Sequence, residues 1–264
     1  MSFIAALDQS GGSTPAALLR YGCEFTADTA ADKMHEFRLR IINSPAFNNN
    51  NIDSAILFRE TVARGGVELL REAGIDSYLK IDQGLEEDGT MKPFDLTEAI
   101  AYAKQTGCVG TKMRSFIVDI SCIRKVLNQQ FLFASKIFDA GLIPIVEPEV
   151  SIHATEKTHI ESALADMIGT YTLGDTKHEC ILKLTIPDTP NLYAPLQKHL
   201  SVKRLVALSG GYPLPQATAK LAQNASMSAS FSRALTDGLK YKMSDSEFDQ
   251  RLQSNIASIS EASE

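Results

Sequence analysis

The sequence predicts an α/β protein, a single-domain (β/α)8 TIM barrel. Eight short β-rich runs recur along the 264 residues, with amphipathic helical stretches between most of them. Alternating strand and helix implies a parallel sheet, and about 250 residues is the usual size of one closed barrel. Charged residues also lie late inside otherwise apolar runs, in YLKID, VGTKMR, IPIVEPEV and CILKLTIP, where such a barrel carries its chemistry.

The first strand, Phe3–Leu7, runs into the polar turn Asp8-Gln9-Ser10-Gly11-Gly12-Ser13. Ser13 or Thr14 ahead of Pro15 is a helix start. Met34, Phe37, Ile41 and Ile42 form one stripe of a helix over 28–42. The asparagine run 48–51 reads as a loop. Strands follow at 54–58, 77–82 and 108–113. Val126, Leu127, Phe131, Ala134, Ile137 and Phe138 predict a helix over 123–140, stopped by Gly141. The remaining strands are 142–147, 180–184, 204–208 and 227–231. Phe248, Leu252, Ile256 and Ile259 predict a last helix over 245–259, with Ser244 as its N-cap. The single domain spans 1–264 and ends in this C-terminal helix and tail, 244–264. The alternative is an open doubly wound sheet, but the first turn reads DQSGGST where a dinucleotide-binding turn needs GxGxxG.

The formal net charge of -6 and pI of about 5.5 argue against nucleic acid or an anionic membrane as partner. No basic segment followed by a long apolar stretch opens the chain, and no apolar run reaches the roughly 18 residues of a membrane span. The expected location is the cytoplasm. Cys23, Cys108, Cys122 and Cys180 form no CxxC pair and read as small buried hydrophobes of a reducing compartment. The five histidines carry no partner motif, and no metal-ligating pattern is present. No metal or cofactor is expected.

An unpaired buried charge costs several kcal/mol, so lysines and glutamates inside strands must face one another. Residues two apart on a strand share a face. Lys80 with Asp82, Lys112 with Arg114, and Glu147 with Glu149 therefore form inward pairs, joined by Lys183. A lysine among other cations has a depressed pKa; its neutral amine attacks a ketone, while carboxylates move the protons. The plainer alternative is an ion-pair network that only neutralises itself. Two turns look like anion cradles: Ser209-Gly210-Gly211 after the seventh strand, and Ser232-Arg233 after the eighth. The turn from Asp8 to Ser13, with Lys80, offers a second.

In order, LDQSGGST, SPAF, ILFRET, KIDQGL, GTKMRS, GLIPIVEPEV, LKLTIP, LSGGY and SFSRAL resemble the class I fructose-1,6-bisphosphate aldolases, in their short bacterial form, over almost the whole chain. The resemblance implies reversible cleavage of fructose 1,6-bisphosphate to dihydroxyacetone phosphate and glyceraldehyde 3-phosphate. Lys183 matches the Schiff-base lysine. Glu147 matches the acid/base carboxylate, and Glu149 the neighbour that orients and tunes the lysine. Asp8 matches the base for the C4 hydroxyl, and Lys112 the cation beside it. Ser209, Gly210, Gly211 and Arg233, with the adjacent Ser232, match the C1-phosphate site. Ser10, Ser13 and Lys80 match the region that holds the C6 phosphate, and Arg114 a position near the hydroxyls or a phosphate. The implied partners are small sugar phosphates. Related ketose bisphosphates such as tagatose 1,6-bisphosphate stay open, as does a homo-oligomer.

Three departures stand out. No tyrosine follows Tyr241, whereas animal-type relatives end in one that helps protonate the enamine. A short helix before the first strand is missing, so the barrel floor is expected to be less covered. The segment 62–76 is short.

Overall fold

The computed structural model describes residues 2–9 and 11–263. Its strands are β1 (Phe3–Leu7), β2 (Ile52–Leu57), β3 (Asp76–Lys80), β4 (Gly110–Ile117), β5 (Ile143–Val150), β6 (Cys180–Thr185), β7 (Val202–Leu208) and β8 (Met227–Ala229). They pair in sequence order, all in parallel. The seam between β8 and β1 is joined by Ala6 N donating to the Phe231 carbonyl at 3.1 Å. This is a nearly closed (β/α)8 barrel.

The helices fill the crossovers: α1 (Thr14–Arg20), α2 (Ala30–Ile42), α3 (Arg59–Ala63), α4 (Gly66–Glu72), α5 (Leu96–Gln105), α6 (Ile123–Asp139), α7 (Lys157–Leu173), α8 (Leu214–Leu221) and α9 (Asp245–Ala262). After β6 the helix position is taken by a 3-10 turn, Ala194–Lys198. Ser13 occupies the N-cap of α1 but makes no capping hydrogen bond with its side chain; Pro15 supplies the start. Ser244 does cap α9, in a full capping box with Glu247. Within the C-terminal tail, α9 is the last barrel helix: Ala229 N donates to Ser263 Oγ at 3.0 Å, tying its end to β8. The short segment 62–76 still builds α4, entered through Gly65 at φ 86°. Of the cysteines, Cys122 is only half-buried; the other three are buried.

Strands β4 and β5 run further than their apolar patterns suggest, pairing through eight rungs from Gly110 with Ile143 to Ile117 with Val150. Polar residues end an apolar pattern, but here they point inward at a site and the ladder continues. The partner ladder, β5 with β6, holds only Ile145 with Ile181 and Val146 with Leu182. The cause is proline. Ile143 N donates to the Val109 carbonyl just before β4 and Ser151 N to the Ile117 carbonyl at its end, while Val150 N donates to Thr185 Oγ1 of β6 at 2.9 Å. By alternation, Pro144 and Pro148 occupy places that should donate to β6, and they have no N–H. The sheet parts there, and Thr185 rejoins it by a side chain.

Inside the barrel, Ile4, Ala6, Ile56, Tyr78, Ile145, Ile181 and Val206 form an apolar plug; the larger core lies between strands and helices. Below the plug, Arg204 closes the floor. It reaches Asp53 at 2.7 Å and Ser228 at 3.0 Å, and also bonds the Ser2 carbonyl. These contacts form an ionic cover at that end of the barrel. Among the described residues no helix is long and apolar enough to cross a membrane.

Gly110 is required by close approach. A Cβ there would lie 2.0 Å from the Ile143 carbonyl oxygen and 2.6 Å from the Tyr78 ring. Gly110→Ala should cost about 3 kcal/mol or more, since overpacking alone costs 1–3. Urea unfolding of the two proteins checks this.

Candidate active site

Two residues above plug positions on four strands stands a charged residue: Asp8 above Ala6, Lys80 above Tyr78, Glu147 above Ile145 and Lys183 above Ile181. The same period places Lys112 above Gly110 and Arg114 above that. All face a cavity of about 790 Å3 at the carboxyl ends of the strands. Its lining includes Asp8, Ser13, Lys80, Lys112, Arg114, Glu147, Glu149, Lys183, Ser209, Gly210, Ser232 and Arg233. Gly211 is not part of the wall; it lies under Arg233, where a Cβ would sit 3.0 Å from a guanidinium nitrogen. Ser10 lies outside the described residues.

The centre is a buried chain of charges. Lys112 Nζ is 2.7 Å from Asp8 Oδ2 and 2.8 Å from Glu147 Oε2, and Lys183 Nζ is 3.3 Å from Glu147 Oε1. Glu147 thus gives one oxygen to each lysine. Lys112, Lys183 and Glu147 are 2%, 3% and 4% exposed, too buried for water to stabilise them singly. Burial alone would raise the Asp8 carboxyl, but the cations of Lys112, Lys183 and Lys80 outweigh it and hold Asp8 well below the usual range. Burial would lower Lys112, but Asp8, Glu147 and Asp82 outweigh that and hold it above its ordinary value. The expectation that clustered lysines depress one another therefore fails for Lys112, whose carboxylates are nearer than its fellow cations. It is a fixed ammonium.

Glu149 pairs with Arg114 at 2.5 Å; the ion contact of Lys183 is with Glu147. Burial lowers and Glu149 raises Arg114, with the carboxylate prevailing. Burial lowers Arg233, and Arg20 and Arg114 press it further down against the pull of Glu149. Lys80 donates to Asp82 Oδ1 at 2.8 Å and to its carbonyl at 2.6 Å.

Several supporting residues escape a strand-pattern reading. Asp82 also accepts from Arg114 N at 3.2 Å, so one carboxylate fixes two strands. Gln130, buried on α6, accepts from Glu147 N at 3.1 Å and donates to Ser115 Oγ at 3.0 Å. It satisfies the β5 backbone at the site, and a glutamine in an apolar stripe was its only signal. Gln9 donates to Ser232 Oγ at 2.6 Å, linking the loops after β1 and β8. Arg38, buried on α2, bonds the Gln9 carbonyl and Thr61 Oγ1; burial pushes it down to about 10. Ser230 lines the cavity with a buried hydroxyl that has no hydrogen-bond partner among the described residues.

A (β/α)8 barrel with a buried lysine–carboxylate chain in its mouth is a barrel of the aldolase type. Comparison with known proteins agrees. The chain is 43% identical, over 279 aligned positions, to a fructose-bisphosphate aldolase class 1 of Synechocystis, covering 99% of this chain and 93% of that one. It is 44% identical to a protein of the same name from Clostridium acetobutylicum, covering 99% and 95%. A fructose-bisphosphate aldolase of Plasmodium falciparum superposes with a TM-score of 0.78 at 18% identity, covering 99% of this chain and 90% of that one. A Corynebacterium glutamicum protein does so with a TM-score of 0.63 at 12% identity, covering 99% and 85%. At such identities these two show the fold. No family model matches. The chain belongs to the class I fructose-bisphosphate aldolases, which are lyases.

The depressed Asp8 has a definite pH consequence. A carboxyl whose folded pKa lies below its unfolded value adds stability above the unfolded value, about 3.9, and loses it as pH falls below that. The stability gap between the protein and Asp8→Asn should be steady from about pH 8 to 5 and narrow below about pH 4. Urea titrations across pH measure it.

Proposed function

We propose that this chain reversibly cleaves fructose 1,6-bisphosphate to dihydroxyacetone phosphate and glyceraldehyde 3-phosphate through a Schiff base on Lys183. The observation that carries the reading is Glu147 placed between two lysines, with Asp8 on the far side of one.

The Lys183 amine attacks the C2 carbonyl. Glu147, 3.3 Å from that amine, moves the protons that form the carbinolamine and expel water. Asp8 takes the proton from the C4 hydroxyl. The C3–C4 bond then breaks, its electron pair flows into the iminium to give an enamine, and the C4 oxygen leaves as an aldehyde. Lys112, a permanent cation beside Asp8, holds the negative charge that develops on that oxygen. Protonation at C3 and hydrolysis return Lys183 and release the ketone. Glu147, beside the Lys183 amine, or a water supplies that proton. Arg114 holds Glu149 and leaves Glu147 to serve the lysines. The iminium does the polarising that a divalent cation does in metal-dependent aldolases.

Ser209, Gly210 and Arg233, with Gly211 beneath the guanidinium, take the C1 phosphate on the β7–β8 side. Ser13 and Lys80 face the C6 phosphate. These anionic substrates suit a cavity with six basic and four acidic side chains in a chain of net charge -6.

Borohydride reduction with dihydroxyacetone phosphate in EDTA should leave a stable adduct on Lys183, located by peptide mass. An active protein that EDTA silences, without an adduct, overturns the mechanism. Lys183→Ala should lower cleavage at least about a thousandfold while circular dichroism stays native. Arg233→Ala should raise KM about tenfold or more with a smaller change in kcat; an unchanged KM removes it from the phosphate site.

A further inference from the structure

Six basic side chains line the cavity: Arg20, Lys80, Lys112, Arg114, Lys183 and Arg233. Four are matched by carboxylates at ion-pair distance: Lys80 by Asp82, Lys112 by Asp8 and Glu147, Arg114 by Glu149, and Lys183 by Glu147. Among the described residues, neither Arg20 nor Arg233 has a carboxylate partner. They are also close enough that the charge of Arg20 disfavours the charge on Arg233. Two guanidinium groups without carboxylates in one cavity are each left to meet an anionic group of whatever enters it.

Arg20 is placed for this by the helix that carries it. Gly12, Ser13, Ala16 and Arg20 all line the cavity; four-residue steps keep them on one face of α1 and its entry turn. The end of α1 is fixed from outside. Lys240 Nζ donates to the Arg20 carbonyl at 2.6 Å. Tyr241 N donates to the Tyr21 carbonyl at 2.8 Å, and the Tyr21 ring stacks on Phe37 with centroids 3.9 Å apart. The backbone of Arg20 is therefore held while the residue stays exposed at the cavity wall.

The order of strands decides which end of the substrate it meets. Lys183 on β6 bonds C2, and C1 is one bond away, so the C1 phosphate falls to the neighbouring β7 and β8 loops. C6 is four bonds from C2, so the C6 phosphate lies across the mouth towards β1 and α1. We infer that Arg20 grips the C6 phosphate and sets the preference for a doubly over a singly phosphorylated ketose. The inference rests on the cleavage reading above.

The test compares kcat/KM on fructose 1,6-bisphosphate and on fructose 1-phosphate, which lacks the distal phosphate. In Arg20→Gln the bisphosphate-to-monophosphate ratio should fall about tenfold, chiefly through KM for the bisphosphate. Arg20→Lys should recover part of it, because the charge remains without the planar fork. A ratio within about twofold of the parent in Arg20→Gln overturns the role, as does an equal fall on both sugars. Unfolding curves of the variants show whether Arg20 acts only on the end of its helix. The parent itself separates the two readings: if it cleaves neither sugar, cleavage is wrong; if it cleaves both and Arg20→Gln keeps the ratio, only Arg20 is misassigned.

Discussion

The structure depends on the shared burial of opposite charges in the barrel mouth. Asp8, Lys112, Glu147 and Lys183 come from β1's end, β4, β5 and β6, and each has too little contact with water to exist there alone. Removing one leaves an uncompensated charge in a low-dielectric setting. Four strands are thus held in register by electrostatics as well as by backbone ladders. The same tightness holds Lys112 above its ordinary pKa, as a cation between the carboxylates of Asp8 and Glu147.

The proline pattern of β5 complements this. A barrel wall with an unbroken ladder between β5 and β6 would hold the Glu147 and Lys183 backbones at the ordinary strand spacing throughout. Pro148 removes a donor beside Glu147; Thr185 takes the Val150 N–H on the β6 side, and Gln130 takes the Glu147 N–H. The local defect is paired with side-chain hydrogen bonds, so the opening costs little unsatisfied polarity.

Much of this was legible in the sequence. The apolar runs located all eight strands, since a parallel barrel strand is buried on both faces. The spacing of two fixed which charges share the interior. Strand ends were misjudged at β4 and β5, because the inward charges that mark the site also imitate the end of an apolar run. Asp82 stood in the pattern as the mate of Lys80, but its second bond, to Arg114 N, depends on the register of β3 against β4. The partners of Gln130, Gln9 and Arg38 were not legible: Gln130 stood out only as a glutamine in an apolar stripe, Gln9 reaches Ser232 across the whole chain, and nothing local betrays what Arg38 meets. That the carboxylates outweigh the fellow cations around Lys112 was not legible, because a list of charges has no distances, and distance decides which neighbour prevails.

The seam has a consequence for how the protein becomes active. Gln9 meets Ser232, and Ala6 meets Phe231, across more than two hundred residues of chain. Asp8 and Arg233, which line the same cavity, sit on opposite sides of that join. A nascent chain still lacking its last strand has Lys112, Glu147 and Lys183 in hand, yet no closed mouth to order them. Such long-range closure is slow to form because its loop entropy is lost before the contacts are made. The closed mouth therefore exists only when both sides of the seam are present, and the charges of the middle strands gain their setting from the two ends of the barrel.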